Sequence, residues 1–131
     1  MTVVVDASVV VAALVETGAP GRWALQTLAG VDVVSAPHHM PAEVTNIIRR
    51  TEARGALVPE VAALALAELS RMPVELYPFR PFAGRAHELR ANLTTYDAWY
   101  VATAENLDVP LATLDARLRR ATGPRCPFLS P

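Results

Sequence analysis

At 131 residues the chain is long enough to bury a sizeable core, and residues 1–131 read as a single domain. Hydrophobic residues make up 52% of it and its mean hydropathy is +0.25, a surplus of apolar surface most easily placed against a partner chain or a second copy. The formal charge of −1 argues against indiscriminate polyanion binding, and because all twelve basic residues are arginine, P-loop and Schiff-base lysine chemistry are both excluded.

In chain order, Val3 to Val5 form a continuous β-branched run, the pattern of a strand covered on both faces in a parallel sheet. Ala7 to Val15 follow as a helix, ended by Gly18 and Pro20, and Arg22 to Ala29 as a second, stopped by Gly30. Val31 to Ser35 is the next strand. Pro41 suits the first turn of a helix running to Gly55, and Pro59 opens another that ends near Met72 and Pro73. Val74 to Tyr77 is a short strand, Pro78 and Pro81 lie in a loop, and a helix is predicted from about Phe82 to Leu93. A helix from Tyr96 to Leu107, a strand from Pro110 to Thr113 and a short helix from Asp115 to Ala121 come next. Arg125 to Leu129 closes the chain as an edge strand, the position that Pro127 favours. Strands alternating with helices, without linker or repeat, predict a parallel sheet with helices on both faces.

The only cysteine, Cys126, excludes an intrachain disulfide and fits a reducing compartment. The first arginine is Arg22, so the start does not read as a signal peptide. The apolar run from Val3 to Val15, interrupted by Asp6 and Ser8, is too short to span a bilayer. A cytoplasmic protein with no membrane association is expected.

Four carboxylates stand at predicted helix starts: Asp6, Glu43, Asp97 and Asp115. Each has a local explanation. Asp6 and Asp115 can cap the helices they precede, Thr94 with Asp97 forms a capping-box variant, and Glu43 lies in a first turn, where the helix dipole favours negative charge. Together they point further. Ligands of open α/β sheets lie at the carboxyl ends of strands, where strand order reverses, and helix starts gather at that edge. Carboxylates crowded there raise one another's pKa unless a cation is present. Mg²⁺ or Mn²⁺ suits such oxygen donors, and an ion so held can activate water and clamp a phosphodiester oxygen. Ser8 and Thr113, two residues from Asp6 and Asp115, can hydrogen-bond a carboxylate or bond locally to the backbone. With these four carboxylates neutralised, twelve arginines face nine remaining acids, a net +3.

The chain resembles the PIN-domain family and, within it, the VapC toxins of toxin–antitoxin pairs. The resemblance rests on Val5-Asp6-Ala7-Ser8, on Ser35-Ala36-Pro37 with Ala42-Glu43-Val44, on Tyr96-Asp97-Ala98 through Ala104-Glu105, and on Leu111 through Leu118. It runs from Thr2 to about Ala121 and implies a three-layer α/β/α sandwich whose five-stranded parallel sheet is ordered 3-2-1-4-5. It implies a Mg²⁺- or Mn²⁺-dependent endoribonuclease, with Asp6 and Asp97 as main metal ligands and Asp115 and Glu43 completing the site. An RNA substrate, a VapB-type antitoxin partner and a homodimer are further implications. Many relatives carry an acid or amide two positions past the last aspartate, where this chain has Arg117.

Arg49, Arg50 and Arg54, and Arg117, Arg119 and Arg120, can hold RNA phosphates or simply face solvent. His38 and His39 read as a surface loop, His87 as structural, and Trp99 and Tyr100 as core rather than base-stacking residues. Two other readings compete with the nuclease. One is a catalytically silent PIN-like binding module. The other is a phosphotransfer domain with Asp6 as acceptor, which the missing lysine and the serine at position 8 disfavour.

Overall fold

The computed structural model describes residues 1–131. Five strands, β1 (Thr2–Val5), β2 (Val33–Pro37), β3 (Glu75–Tyr77), β4 (Leu111–Ala112) and β5 (Phe128–Leu129), form one parallel sheet in the order β3-β2-β1-β4-β5. The expected strand order and class are those observed. Between the strands lie α1 (Ala7–Val15), α2 (Ala19–Ala29), α3 (Met40–Ala53), α4 (Pro59–Arg71), α5 (Ala83–Glu88), α6 (Thr95–Leu107) and α7 (Ala116–Arg120).

The valine run is central because it has to be: Val3, Val4 and Val5 are wholly buried, with β2 on one side and β4 on the other. The steps β1 to β2 to β3 run in one direction across the sheet and β4 to β5 in the other. Right-handed crossovers therefore put α1–α4 on one face and α5–α7 on the opposite face. Packing agrees: α1 lies against α2, α3 and α4, while α5 lies against α6, which contacts β1, β2 and β4. The direction reverses between β1 and β4, so the loops that leave these two strands open a crevice at their carboxyl ends.

Several element boundaries differ from the sequence reading, β5 among them, which begins at Phe128 rather than Arg125, and three of the differences have a physical reason. Pro20 does not end α1 but sits in the first turn of α2, where its missing N–H leaves no bond unmade. The chain can reverse so tightly there because position 21 is glycine; a Cβ would lie 2.0 Å from the Glu16 carbonyl oxygen. β2 begins at Val33 rather than Val31. The amides of Asp32 and Val33 both donate to the Met1 carbonyl, which fixes Thr2 opposite Val33. The helix expected to reach Leu93 ends at Glu88, after a 3₁₀ turn at Arg80–Phe82. Leu89 is buried and its carbonyl accepts from Asn92 and Leu93, so the chain turns there and re-enters helix at Thr95. No helix is long and apolar enough to cross a membrane.

Candidate functional site

Asp6 leaves the end of β1 and caps α1 with extended backbone, φ −91° and ψ 174°. It is 5% exposed, among the few buried polar residues of the chain. Its Oδ1 accepts from the Ser8 hydroxyl at 2.5 Å and from the Val9 amide at 3.3 Å, and its Oδ2 accepts from the Thr113 hydroxyl. The same hydroxyls bind the next loop: Ser8 Oγ accepts from the Leu114 amide at 2.9 Å, and Thr113 Oγ1 from the Asp115 amide at 2.9 Å. Ser8 and Thr113 thus staple the β1–α1 turn to the β4–α7 turn across the reversal of strand direction. Both hydroxyl-to-carboxylate bonds are present, while local turn bonding to the backbone occurs at Thr113 only.

Burial pushes the Asp6 carboxyl up to about 6, against the pull of the Ser8, Thr113 and Val9 bonds and with help from the charge of Glu43. Asp97, in the first turn of α6, is also raised, first by burial and then by the charges of Glu43 and Asp115; the Thr94 bond and Arg117 oppose this. Four acids from four helix starts therefore act on one another through space. The helical N-terminus should favour a charged Asp97, and it remains raised.

Glu43 lies on α3 and is held differently. Its Oε2 accepts from the Tyr100 hydroxyl at 3.0 Å and stands 3.3 Å from His39 Nε2. The His39 ring nitrogen is the largest influence on it, burial works the other way, Tyr100 adds to His39, and the net result is a lowered pKa. Tyr100, one helical turn beyond Asp97 on α6, reaches Glu43 across the crevice edge, whereas His39 lies one turn before Glu43 at the start of the same helix. The Tyr100 hydroxyl is in turn raised by burial, then by Glu43, with a smaller push from Asp6. Tyr100 thus ties Glu43 to the neighbourhood of Asp6.

Asp115 caps α7, its Oδ1 accepting from the Arg117 and Leu118 amides at 2.9 and 3.4 Å. The Arg117 guanidinium lies 3.9 Å from the same oxygen, 89% exposed. The capping expectations hold for Asp6, Asp115 and Thr94, whose hydroxyl accepts from the Asp97 amide at 3.2 Å.

The donor set is all oxygen, four carboxylates with two hydroxyls behind one of them, and fits a hard cation that keeps several waters rather than zinc. A divalent ion would also reverse the two upward shifts at Asp6 and Asp97. As the side chains lie, no group of three or more His, Cys, Asp or Glu is gathered closely enough to hold a metal ion. Both Asp6 oxygens are engaged by the protein's own hydroxyls, and one Glu43 oxygen by Tyr100. The residues fit such an ion through one or two direct ligands with water between it and the others.

Sequence reasoning missed His39 and Tyr100. His39 is not a surface-loop residue: its ring packs against Tyr96, Trp99 and Tyr100. The four-residue spacing of His39 and Glu43 and the three-residue spacing of Asp97 and Tyr100 are the signals that carry these contacts. Trp99 and Tyr100 are core residues as expected, 9% and 1% exposed. A cavity of about 460 Å³ adjoins the acids, lined by His39, Glu43, Asn46, Thr94, Tyr96 and Asp97 among others.

The PIN domain family matches residues 3–124. The chain is 36% identical over 121 residues to Ribonuclease VapC12 of Mycobacterium tuberculosis, covering 92% of each, and 41% identical over 124 residues to Ribonuclease VapC1 of the same species, covering 94% of this chain and 92% of that one. Among solved structures, Mycobacterium tuberculosis VapC20, described as a Sarcin-Ricin loop cleaving toxin, superposes with a TM-score of 0.69 at 18% identity, over 89% of this chain and 92% of its own. VapBC2 from Rickettsia felis, bound to a DNA fragment from their promoter, does so at 0.70 and 15% identity over 98% of both. At such identities the structural likeness speaks for the fold.

Proposed function

This chain belongs to the PIN-domain family, and from its kinship with the VapC ribonucleases we propose that it is the toxin ribonuclease of a toxin–antitoxin pair, hydrolysing RNA phosphodiester bonds with the help of Mg²⁺ or Mn²⁺. The observation that carries the reading is electrostatic. Asp6 and Asp97 are both raised by burial and by the other acids at the β1/β4 crevice, an arrangement that costs the fold stability unless a cation offsets it.

Asp6 and Asp97 are assigned as the main metal ligands, with Asp115 and Glu43 completing the site directly or through water. The chemistry such an ion supplies is activation of a water and compensation of charge at the phosphate. The rest falls to the chain. Ser8 and Thr113 fix both oxygens of Asp6, so its orientation is set from two separate turns rather than by one side-chain torsion. Tyr100 and His39 hold Glu43 ionised on the far wall, where it can orient the attacking water. Arg117, free in solvent beside Asp115, is placed to meet a phosphate oxygen.

A VapB-type antitoxin is the proposed protein partner, and a second copy the proposed means of self-association. Apolar surface for them is exposed at Val58 just before α4, at Val61 and Leu64 on α4, and at Leu25 on α2. The test is direct: RNA cleavage should require Mg²⁺ or Mn²⁺, stop with EDTA, and disappear in Asp6→Asn and Asp97→Asn while the circular dichroism spectrum is unchanged. Cleavage by both variants at the parent rate refutes the assignment. One observation favours a catalytically silent binding module instead, namely that the acids are not drawn into a three-ligand set. Calorimetric titration with Mn²⁺ separates the two, since a silent module would show no binding heat.

A further inference from the structure

We propose that the cavity between the starts of α3 and α6 is a nucleobase subsite, in which Tyr96, backed by His39, stacks a base of the single-stranded RNA being cut. This rests on the ribonuclease reading and adds where the strand lies. Tyr96 is 64% exposed, although the residues that follow Asp97 on the same helix, Ala98 to Ala104, are buried. Its ring is the outermost of a series. His39 is stacked on Trp99 with centroids 4.6 Å apart and 20° between planes, and tilted against Tyr96 at 5.4 Å; Phe79 braces Trp99 edge-on at 5.2 Å. A layered aromatic column running from the core to solvent, beside a cavity of about 460 Å³, offers a planar ligand a rigid face.

Glu43 and Asp97 line the cavity with oxygen acceptors, which can take hydrogen bonds from ring N–H and exocyclic amino groups. The Asn46 Oδ1 is already taken by Arg49, at 3.3 and 3.0 Å, so Asn46 presents its amide N–H₂. The volume lies at the small end of ligand pockets, about 300–1,000 Å³, and suits one nucleoside. An arginine side chain from a protein partner would also fit an acidic, aromatic slot. The nucleobase is favoured because the cavity shares Glu43 and Asp97 with the acid centre, so a strand cut at that centre runs beside it.

The experiment uses the full chain carrying Asp6→Asn, so that binding is read without cleavage, with Mg²⁺ present. A fluorescein-labelled random-sequence RNA dodecamer reports affinity by anisotropy, and the same length containing 2-aminopurine reports stacking by quenching. Adding Tyr96→Ala should weaken binding about tenfold and abolish the quenching, while Tyr96→Phe and Tyr96→Trp keep both. An unchanged melting temperature confirms that the exposed substitution leaves the fold alone. Equal affinity and equal quenching with and without the Tyr96 ring overturn the subsite while leaving the ribonuclease reading intact. If Tyr96→Ala instead weakens only an arginine-containing hexapeptide, the occupant is a protein and the proposal is wrong. Failure of the Asp6→Asn chain to bind RNA overturns the subsite alone, because Asp6 is itself a proposed metal ligand; the ribonuclease reading stands or falls with cleavage by the parent chain.

Discussion

Asp97 and Glu105 stand two turns apart on α6, both carboxylates and both partly buried, yet they are shifted in opposite directions. At Glu105 burial works to raise the pKa, but Arg85 and the Arg125 amide outweigh it. Arg85 grips the carboxylate at 2.7 and 3.1 Å, the Arg125 amide donates at 2.7 Å, and Arg85 also reaches the Gly123 carbonyl at 2.9 Å. Glu105 needs this help, because it lies near the C-terminal end of α6, where the helix dipole opposes a negative charge. Asp97 has the favourable end and no cation within its grasp except the distant, exposed Arg117. One acid is compensated by the protein itself and fastens the C-terminal segment to the fold. The other has no such partner, and it is there that the proposed cation would act.

The sharpest way to break this contrast is to neutralise one acid of each kind. Asp6→Asn should cut cleavage at least about 100-fold, since even outer-shell partners of a metal are commonly worth 10–100-fold. It should also raise the melting temperature of the metal-free protein at neutral pH, because a buried, uncompensated charge is removed. Glu105→Gln should do the reverse: kcat within about twofold of the parent, but stability lower by about 2 kcal/mol, roughly 5–10 °C in Tm, as Arg85 loses its bidentate partner. Differential scanning fluorimetry and a cleavage time course on the same preparations decide it. Equal loss of stability in the two variants would show that both acids are structural.

Acidity probes the same contrast without mutation. The folded Asp6 carboxyl is raised from 3.8 to about 6, so between those values the folded state holds a proton that the unfolded chain has released. Metal-free stability should therefore fall as pH rises from about 4 to 6, by up to about 3 kcal/mol from this group. Glu105 has the opposite sign: its contribution is present above the unfolded pKa and lost as pH falls through its lowered folded value. Urea unfolding in EDTA should thus show a downward slope above pH 4 that Asp6→Asn reduces, leaving the part due to Asp97, and that Glu105→Gln does not reduce. Saturating Mg²⁺ should flatten the slope, because metal binding competes with the proton.

How much of this was legible in the sequence follows the distance over which each feature is determined. The buried valine run, Pro41 and Pro59 in first turns and the alternation of elements are local signals, and they carried the order of helices and strands. The placement of Asp6, Glu43, Asp97 and Asp115 at helix starts was legible because a helix start is itself a local pattern. Pro20 misled because a proline can end one helix or begin the next, and only the close approach that Gly21 permits decides which. The staples from Ser8 and Thr113 span 106 and 107 residues, and the Tyr100–Glu43 bond spans 57. Such pairings exist only once the sheet has brought β1, β4 and α6 together. His39 was misread for the same reason: next to His38 it reads as loop, and the aromatic residues that cover it come from α6.

The smallest expected effect concerns the one cation at the acidic edge. Arg117 is 89% exposed and 3.9 Å from Asp115, a geometry worth well under about 1 kcal/mol to the fold, so Arg117→Gln should leave Tm unchanged. Its charge does favour ionised Asp97, and as a flexible guanidinium it can meet the substrate's phosphate. The loss should then appear as a rise in KM of a few fold, together with a shallower dependence on salt, while kcat stays near the parent value. Arg117→Asp sharpens the point. It replaces that cation with a fifth carboxylate, so Mn²⁺ should bind more tightly while RNA binds more weakly. If instead Arg117→Asp lost Mn²⁺ affinity, the guanidinium would be supporting the acids structurally, as Arg85 supports Glu105, and the distinction between the two ends of α6 would fail.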